Sequence, residues 1–149
     1  CATKLGAVIG SRDEATIHAL ESCGRSLGSV FQIRDDVLGV WGQEETTGKP
    51  VGADIRRKKN SFPVVYAMSA ADEKDRRVLE CVYSQEHLTD ADVSAVLEVM
   101  ERTGVKEHAR VLASEHCDRA LAALASVEMD PAIRSEAEDL AHFLLIREH

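Results

Sequence analysis

Two neighbouring carboxylates and the cations that follow them are the residues of this chain best suited to chemistry. Asp35 and Asp36 lie side by side in FQIRDDVLGVW, and Lys49 comes in the polar stretch after it. The basic run that follows Asp54 consists of Arg56, Arg57, Lys58 and Lys59. Carboxylates suit Mg²⁺, which fills its remaining positions with water and phosphate oxygens. Acids followed by cations around a Gly-containing loop therefore indicate a metal-bridged diphosphate site.

The element that must position these acids is a helix over residues 27–41. At about 100° per residue, large apolar side chains cover most of its circumference. The remaining arc carries Gly28, Gln32, Asp35, Asp36 and Gly39. A helix that is apolar nearly all round is buried, so its acids must face a cation or a wet cavity. The alternative is an acidic helix end and a basic loop that both face solvent.

Three blocks of this region resemble the C-terminal half of trans-isoprenyl diphosphate synthases, the head-to-tail prenyltransferases such as geranylgeranyl and farnesyl diphosphate synthases. In order, the blocks read FQ-x-x-DD-x-L, GKP-x-G-x-D and K-x-S-x-P. The resemblance implies an all-α fold, the C-terminal half of an isoprenoid-synthase-type helical bundle. We expect residues 1–149 to form a single helical unit, and the family's first aspartate-rich motif to lie in an N-terminal half outside this chain.

Residue roles follow from the resemblance, position by position. Asp35 and Asp36 match the second aspartate-rich motif, whose carboxylates bind Mg²⁺ bridging the allylic diphosphate. The matching catalytic and diphosphate-binding residues are Gln32, Lys49 and Lys59. Gln32 is expected to face the reacting allylic group, and Lys49 to contact the diphosphate. Asp54 matches an acid that supports the water shell of the metal.

The reaction implied by the resemblance joins an allylic diphosphate to isopentenyl diphosphate. The allylic diphosphate ionises, the double bond of isopentenyl diphosphate attacks the cation, pyrophosphate leaves and a proton is lost. Magnesium is the expected cofactor. The expected partners are the two diphosphate substrates, the N-terminal half of the same enzyme and a second copy in a homodimer.

The chain departs from the family pattern at one position. The second motif usually reads DD-x-x-D, and Gly39 stands where its last acid would be. We expect a modified site that still works, because Mg²⁺ readily replaces a ligand with water. Two alternatives stay open: a non-catalytic subunit of a heteromeric prenyl synthase, and a terpene cyclase on the same fold.

Composition excludes several other classes of protein. The formal net charge of −8 argues against general nucleic-acid binding, which needs a basic footprint. No apolar run approaches the roughly 20 residues of a transmembrane helix. The four cysteines are dispersed without a C-x-x-C pair, which favours buried, reduced thiols in a cytoplasmic protein.

Local signals place the helices around this site. Ser11 is predicted to cap the long helix that runs from Arg12 to about Trp41, with Glu14 completing a capping box. Gly24 and Gly28 in that helix are expected to allow close helix packing. A polar loop is predicted over residues 43–60, followed by helices beginning after Ser61 and Thr89 and, further on, at Pro131.

Overall fold

The computed structural model describes residues 2–43, 48 and 50–146, and within these ranges it is helical with no strand. The helices are α1 (Ala2–Gly10), α2 (Glu14–Trp41), α3 (Ala53–Arg56), α4 (Phe62–Ala70), α5 (Glu73–Ser84), α6 (Asp90–Arg102), α7 (Val105–Ala125) and α8 (Pro131–Ile146). The predicted all-α class is confirmed. Across the described part of the chain, no helix is both long and apolar enough to cross a membrane.

The chain divides into two compact units. Unit one comprises the described parts of residues 1–34 and 111–147, and unit two comprises the described parts of residues 35–110. The helices α2 and α7 contribute residues to both. In unit one, α2 packs Val30 beside Cys117 of α7 and Ala141 of α8, all three at most 1% exposed. The guanidinium of Arg134 donates to the carbonyl oxygens of Leu124 and Val127, which closes the C-terminal end of α7.

Unit two has the larger apolar core. Its fully buried members are Val40, Ile55, Ala67, Leu79, Val96, Val99, Met100 and Val105. They come from the end of α2, from α3 to α6, and from the start of α7. Residues from every helix of the unit thus meet in one core, so the burial of apolar surface couples the end of α2 to the segment 50–63.

Of two predicted helix caps, the one at Thr89 is confirmed and the one at Ser11 is wrong. Thr89 caps α6 as predicted and forms a capping box with Asp92, each side chain accepting from the other's backbone N–H. At the start of α2, however, Asp13 and not Ser11 is the capping residue, since its carboxylate accepts from the N–H groups of Ala15 and Thr16. The prediction of Ser11 was wrong because the helix begins at Glu14, two residues after the start that a Ser11 cap requires.

Two further predictions are corrected by burial. The polar loop predicted over residues 43–60 contains α3, because Ile55 is completely buried in the core of unit two. Phe31, in the helical stretch predicted to be buried, is 42% exposed, since it points about 100° away from the buried Val30 around the axis of α2. Of the described cysteines, all free, Cys23 and Cys117 are buried as predicted, but Cys81 is exposed.

Gly24 and Gly28 differ in the space around their α-carbons. A Cβ at Gly24 would overlap the hydroxyl of Thr3 on α1 and lie 2.9 Å from its Cβ, whereas a Cβ at Gly28 would meet nothing within 4 Å. The predicted close packing is therefore present at Gly24 and absent at Gly28.

We expect Gly24→Ala to lower the free energy of unfolding by about 1–3 kcal/mol, because overpacking separates α1 from α2. The matched control Gly28→Ala should raise it by up to about 1 kcal/mol through helix propensity alone. Urea denaturation of both variants measures the difference. Equal stabilities for the two would contradict the close contact.

The carboxylate of Asp75 in unit two should make the stability of the fold depend on pH in the acid range. Asp75 of α5 accepts from Arg102 Nε at 3.0 Å and Nη2 at 2.7 Å, and these hydrogen bonds lower the pKa of Asp75 below its usual value of 3.8. A lowered folded-state pKa stabilises the fold above the unfolded pKa, and this stabilisation is lost as pH falls through the folded pKa.

Asp75→Asn should therefore reduce the dependence of the unfolding free energy on pH below about pH 4. Glu73→Gln, which removes an exposed carboxylate from the same helix, is the control and should leave that dependence close to wild type. Thermal melts from pH 2 to pH 7 would test this. A wild-type slope in Asp75→Asn would show that the Arg102 pair does not stabilise the fold.

Candidate functional site

The buried carboxylate of Asp36 is the centre of the candidate site. Asp36 is 5% exposed, near the end of α2. Its Oδ1 accepts from Lys59 Nζ at 2.9 Å, and its Oδ2 accepts from the backbone N–H of Phe62 at 2.8 Å. A buried charge is tolerated when a cation and hydrogen-bond donors surround it, and both are present here.

The contact with Phe62 gives Asp36 a second task. Ser61 occupies the predicted N-cap position of α4, but its side chain makes no capping hydrogen bond. The first N–H of α4 instead donates to Asp36, which lies 26 residues earlier in the chain. A negative charge at a helix N-terminus is favourable, so this carboxylate stabilises the start of α4 from another helix.

The segment before α4 places Asp54 beside the same lysine. Gly52 has φ +76°, a left-handed conformation that favours glycine, and its N–H donates to Val40 O at 2.9 Å. This bond ties the start of α3 to the end of α2. With Ile55 anchored in the core, Asp54 is 6% exposed and its Oδ2 accepts from Lys59 Nζ at 3.0 Å.

A tight turn after α3 returns Lys59 toward the acids. Lys58 has φ 50°, so this non-glycine residue adopts a left-handed conformation that costs about 1 kcal/mol. The N–H of Lys58 donates to Ile55 O, and that of Lys59 donates to Asp54 O at 3.0 Å. The turn thus brings the side chains of Lys59 and Asp54 to the same place.

Lys59 is surrounded by three carboxylates. Besides its bonds to Asp36 and Asp54, its Nζ lies 3.9 Å from Asp35 Oδ2. The hydrogen bonds with Asp36, and then with Asp54, raise the pKa of Lys59 well above its usual value of 10.5, so the ammonium is charged at neutral pH. Three negative charges against one positive charge leave the cluster with a formal charge of −2.

Asp35 differs from the other two acids in its exposure to solvent. Its side chain is 46% exposed, while those of Asp36 and Asp54 are 6% and 9% exposed. Its nearest contact to Lys59, at 3.9 Å, is too long for a hydrogen bond. Asp35 is therefore the carboxylate of the cluster best placed to meet a cation from solvent.

The cluster fits Mg²⁺ bound through few protein ligands. Among the described residues no group of three or more His, Cys, Asp or Glu side chains forms a ready metal cage. Mg²⁺ does not require one, since it is commonly held by one or two carboxylates with waters and substrate phosphates in its other positions. The exposed Asp35 and the net negative charge of the cluster meet that requirement.

Of the two remaining predicted residues, the structure describes Gln32 but not Lys49. Gln32 is exposed on α2 in unit one, one turn before Asp36 in sequence. Lys49 lies outside the described residues. The structure thus brings together Asp35, Asp36, Asp54 and Lys59, all in unit two.

Sequence reasoning missed two participants. The backbone N–H of Phe62 carried no side-chain signal, although its position in the K-x-S-x-P block could have drawn attention to it. The hydroxyl of Tyr83 is buried without a hydrogen-bond partner among the described residues, and burial, followed by the charge of Asp54, raises the pKa of Tyr83 to about 12. Nothing in the sequence near Tyr83 connects it with Asp54.

Comparison with known sequences gives a consistent result. A family profile described as polyprenyl synthetase matches residues 1–100. The chain is 40% identical to a short chain isoprenyl diphosphate synthase from Methanothermobacter thermautotrophicus, over 99% of this chain and 45% of that protein. It is 33% identical to heptaprenyl diphosphate synthase component 2 from Geobacillus stearothermophilus, over 98% of this chain and 44% of that protein. The chain therefore spans less than half the length of these curated relatives.

Solved structures agree with these sequence matches. A polyprenyl synthetase from Streptomyces coelicolor A3(2) superposes with a TM-score of 0.89 at 33% identity, covering 98% of this chain and 45% of that one. A geranylgeranyl pyrophosphate synthase from Corynebacterium glutamicum, complexed with isoprenyl diphosphate and magnesium, gives a TM-score of 0.81 at 28% identity, covering 91% of this chain and 38% of that one.

Because Lys59 is the cation of the cluster, removing its charge should destabilise the fold more than removing a nearby exposed charge. Lys59→Met leaves the buried Asp36 without its ammonium partner, and we expect the unfolding free energy to fall by roughly 1–3 kcal/mol, the lower part of the range reflecting water access to Lys59. Lys59→Arg should retain much of the stability. Arg57→Met, which removes an exposed cation two residues away, is the control and should stay near wild type.

The pH dependence of this difference follows from the raised pKa of Lys59. A group whose folded-state pKa is raised stabilises the fold fully below its unfolded pKa and loses that effect only as pH rises through the folded pKa. The gap between wild type and Lys59→Met, measured by urea denaturation, should therefore be constant from about pH 6 to about pH 9. A gap that closes within this window would contradict a charged Lys59 as its cause.

Proposed function

Because the chain belongs to the polyprenyl synthetase family, we propose that the protein containing it is a Mg²⁺-dependent trans-isoprenyl diphosphate synthase. Residues 1–149 are then the C-terminal part of a larger catalytic domain and carry its second aspartate-rich half-site. The observation that supports this proposal best is the lysine held between two buried carboxylates with a third, exposed carboxylate beside it. It agrees with the synthase names of the relatives and with the magnesium and isoprenyl diphosphate bound in one of the similar structures.

The proposed substrates are an allylic diphosphate and isopentenyl diphosphate. The C–O bond of the allylic diphosphate breaks, and pyrophosphate leaves with the electron pair. The double bond of isopentenyl diphosphate then forms a C–C bond to the allylic carbon, and a proton is lost. Bound Mg²⁺ supplies electrostatic stabilisation of the negative charge that develops on the leaving pyrophosphate.

The residues of this chain divide that task. Asp35 presents the exposed carboxylate that holds the metal. Asp36 and Asp54 fix Lys59 from two sides, so its ammonium is held in one place before the substrate arrives, which reduces reorganisation during the reaction. Lys49, by resemblance, adds a second positive charge for the diphosphate, and Gln32 faces the allylic group.

There are two alternative functions, and one of them has a precedent among the relatives. A non-catalytic subunit of a heteromeric synthase has a precedent in the relative named as component 2 of a heptaprenyl diphosphate synthase. Gly39 in place of the third motif acid favours the same alternative. A terpene cyclase would need only the allylic substrate. A cytoplasmic location and a homodimer are predictions from the resemblance.

Incubation of the full-length gene product with Mg²⁺, an allylic diphosphate and labelled isopentenyl diphosphate should yield longer isoprenyl diphosphates. Asp35→Asn should lower kcat/KM by about 10²–10³-fold, the scale of losing one electrostatic contact to the developing charge. Asp139→Asn, an exposed acid on α8, is the control and should keep wild-type activity.

The alternatives give different products in the same assay. Full activity of Asp35→Asn would overturn the proposed metal role of that carboxylate. Inactivity of the isolated protein, together with altered product lengths from a second synthase, would indicate a regulatory subunit. Product formed equally well without isopentenyl diphosphate would indicate a cyclase.

A further inference from the structure

The carboxylate of Asp54, from another segment, lies against the backbone of Gly39. Gly39 lies one turn after Asp35 on α2. A Cβ built on Gly39 would overlap Asp54 Oδ2 and lie 2.5 Å from Asp54 Cγ. Contacts this short do not occur between real side chains, so the carboxylate of Asp54 occupies the place where a side chain at position 39 would begin.

Asp54 is not free to move aside from that place. It is 6% exposed, and its Oδ2, the atom over Gly39, accepts from Lys59 Nζ at 3.0 Å. The backbone of α3 is held by the bond from Gly52 to Val40 and by the complete burial of Ile55. Rotation of Asp54 away from Gly39 would break the charge-assisted hydrogen bond of a buried carboxylate, which is unfavourable.

We propose that positions 39 and 54 share a single carboxylate place beside Lys59, and that Gly39 is a positioning residue that admits Asp54 to it. The departure from DD-x-x-D then has a structural counterpart: the space in which a side chain at position 39 would begin is filled by Asp54. The identity of residue 39 thereby decides whether Lys59 is held from two sides. The effect on ligand binding rests on the proposed function, whereas the shared place itself does not.

Melting temperatures test whether positions 39 and 54 share one place, independently of any ligand. In thermal melts of the full-length protein, Gly39→Ala should melt below wild type although alanine favours helix, because its Cβ displaces Asp54. In the Asp54→Ala background the same substitution should be harmless or stabilising, since the overlapping carboxylate is gone. Gly6→Ala, a helical glycine with nothing within 4 Å of its Cβ, is the control. Equal effects of Gly39→Ala in the two backgrounds would overturn the proposal, and the Asp54→Ala pair keeps the comparison available if Gly39→Ala fails to fold.

Binding of inorganic pyrophosphate in the presence of Mg²⁺, measured by calorimetry, tests the consequence for the site. Gly39→Ala and Asp54→Ala should each weaken binding by about tenfold, while Gly6→Ala binds as wild type. Gly39→Asp combined with Asp54→Ala should recover most of the affinity lost in Asp54→Ala, because the acid is returned from the other position. A purely structural role for Gly39 predicts no such recovery.

The outcomes separate the two proposals. If wild type binds and the combined variant binds no better than Asp54→Ala, the shared carboxylate place is wrong while the proposed function stands. If wild type does not bind Mg²⁺ and pyrophosphate, the proposed half-site fails, and the melting comparison alone decides the relation between Gly39 and Asp54.

Discussion

The need to compensate one buried carboxylate organises the candidate site. Asp36 is 5% exposed near the end of α2, where an isolated charge would be strongly destabilising. A lysine and a backbone N–H, both from the segment 59–62, supply the compensation. Because one oxygen receives the ammonium and the other receives the first N–H of α4, the carboxylate joins the loop and the next helix to α2 at a single point.

The segment 59–62 can contact Asp36 because the backbone before it is anchored to the core. The bond from Gly52 to Val40 and the buried Ile55 attach α3 to the core, and the left-handed turn at Lys58 then directs Lys59 back toward Asp54. The apolar core therefore bears the cost of ordering a charged segment. The resulting ammonium is held between Asp36 and Asp54 before any ligand binds, an arrangement that suits electrostatic stabilisation of a departing diphosphate.

The three acids of the cluster have different tasks although two are sequence neighbours. Asp36 and Asp54 are buried and hold Lys59, whereas the exposed Asp35 can accept a cation from solvent. The two acids of the DD pair therefore differ in exposure and in their contact with Lys59. The carboxylate of Asp54 also occupies the space in which a side chain at Gly39, the position of the usual third motif acid, would begin.

The sequence by itself determined the helical class and the starts of α4 and α6, because apolar periodicity and capping residues are local properties of the chain. The order of its motifs also singled out Asp35, Asp36, Asp54 and Lys59 as candidate site residues. The sequence did not determine α3, the cap of α4 by Asp36, or the occupation of the Gly39 place by Asp54. Those depend on which distant groups the core brings within about 3 Å of each other, and hydrogen bonds and overlaps of that range have no expression in the spacing of residues along the chain. The tertiary structure therefore decided which of the acids are buried against Lys59 and which one faces solvent.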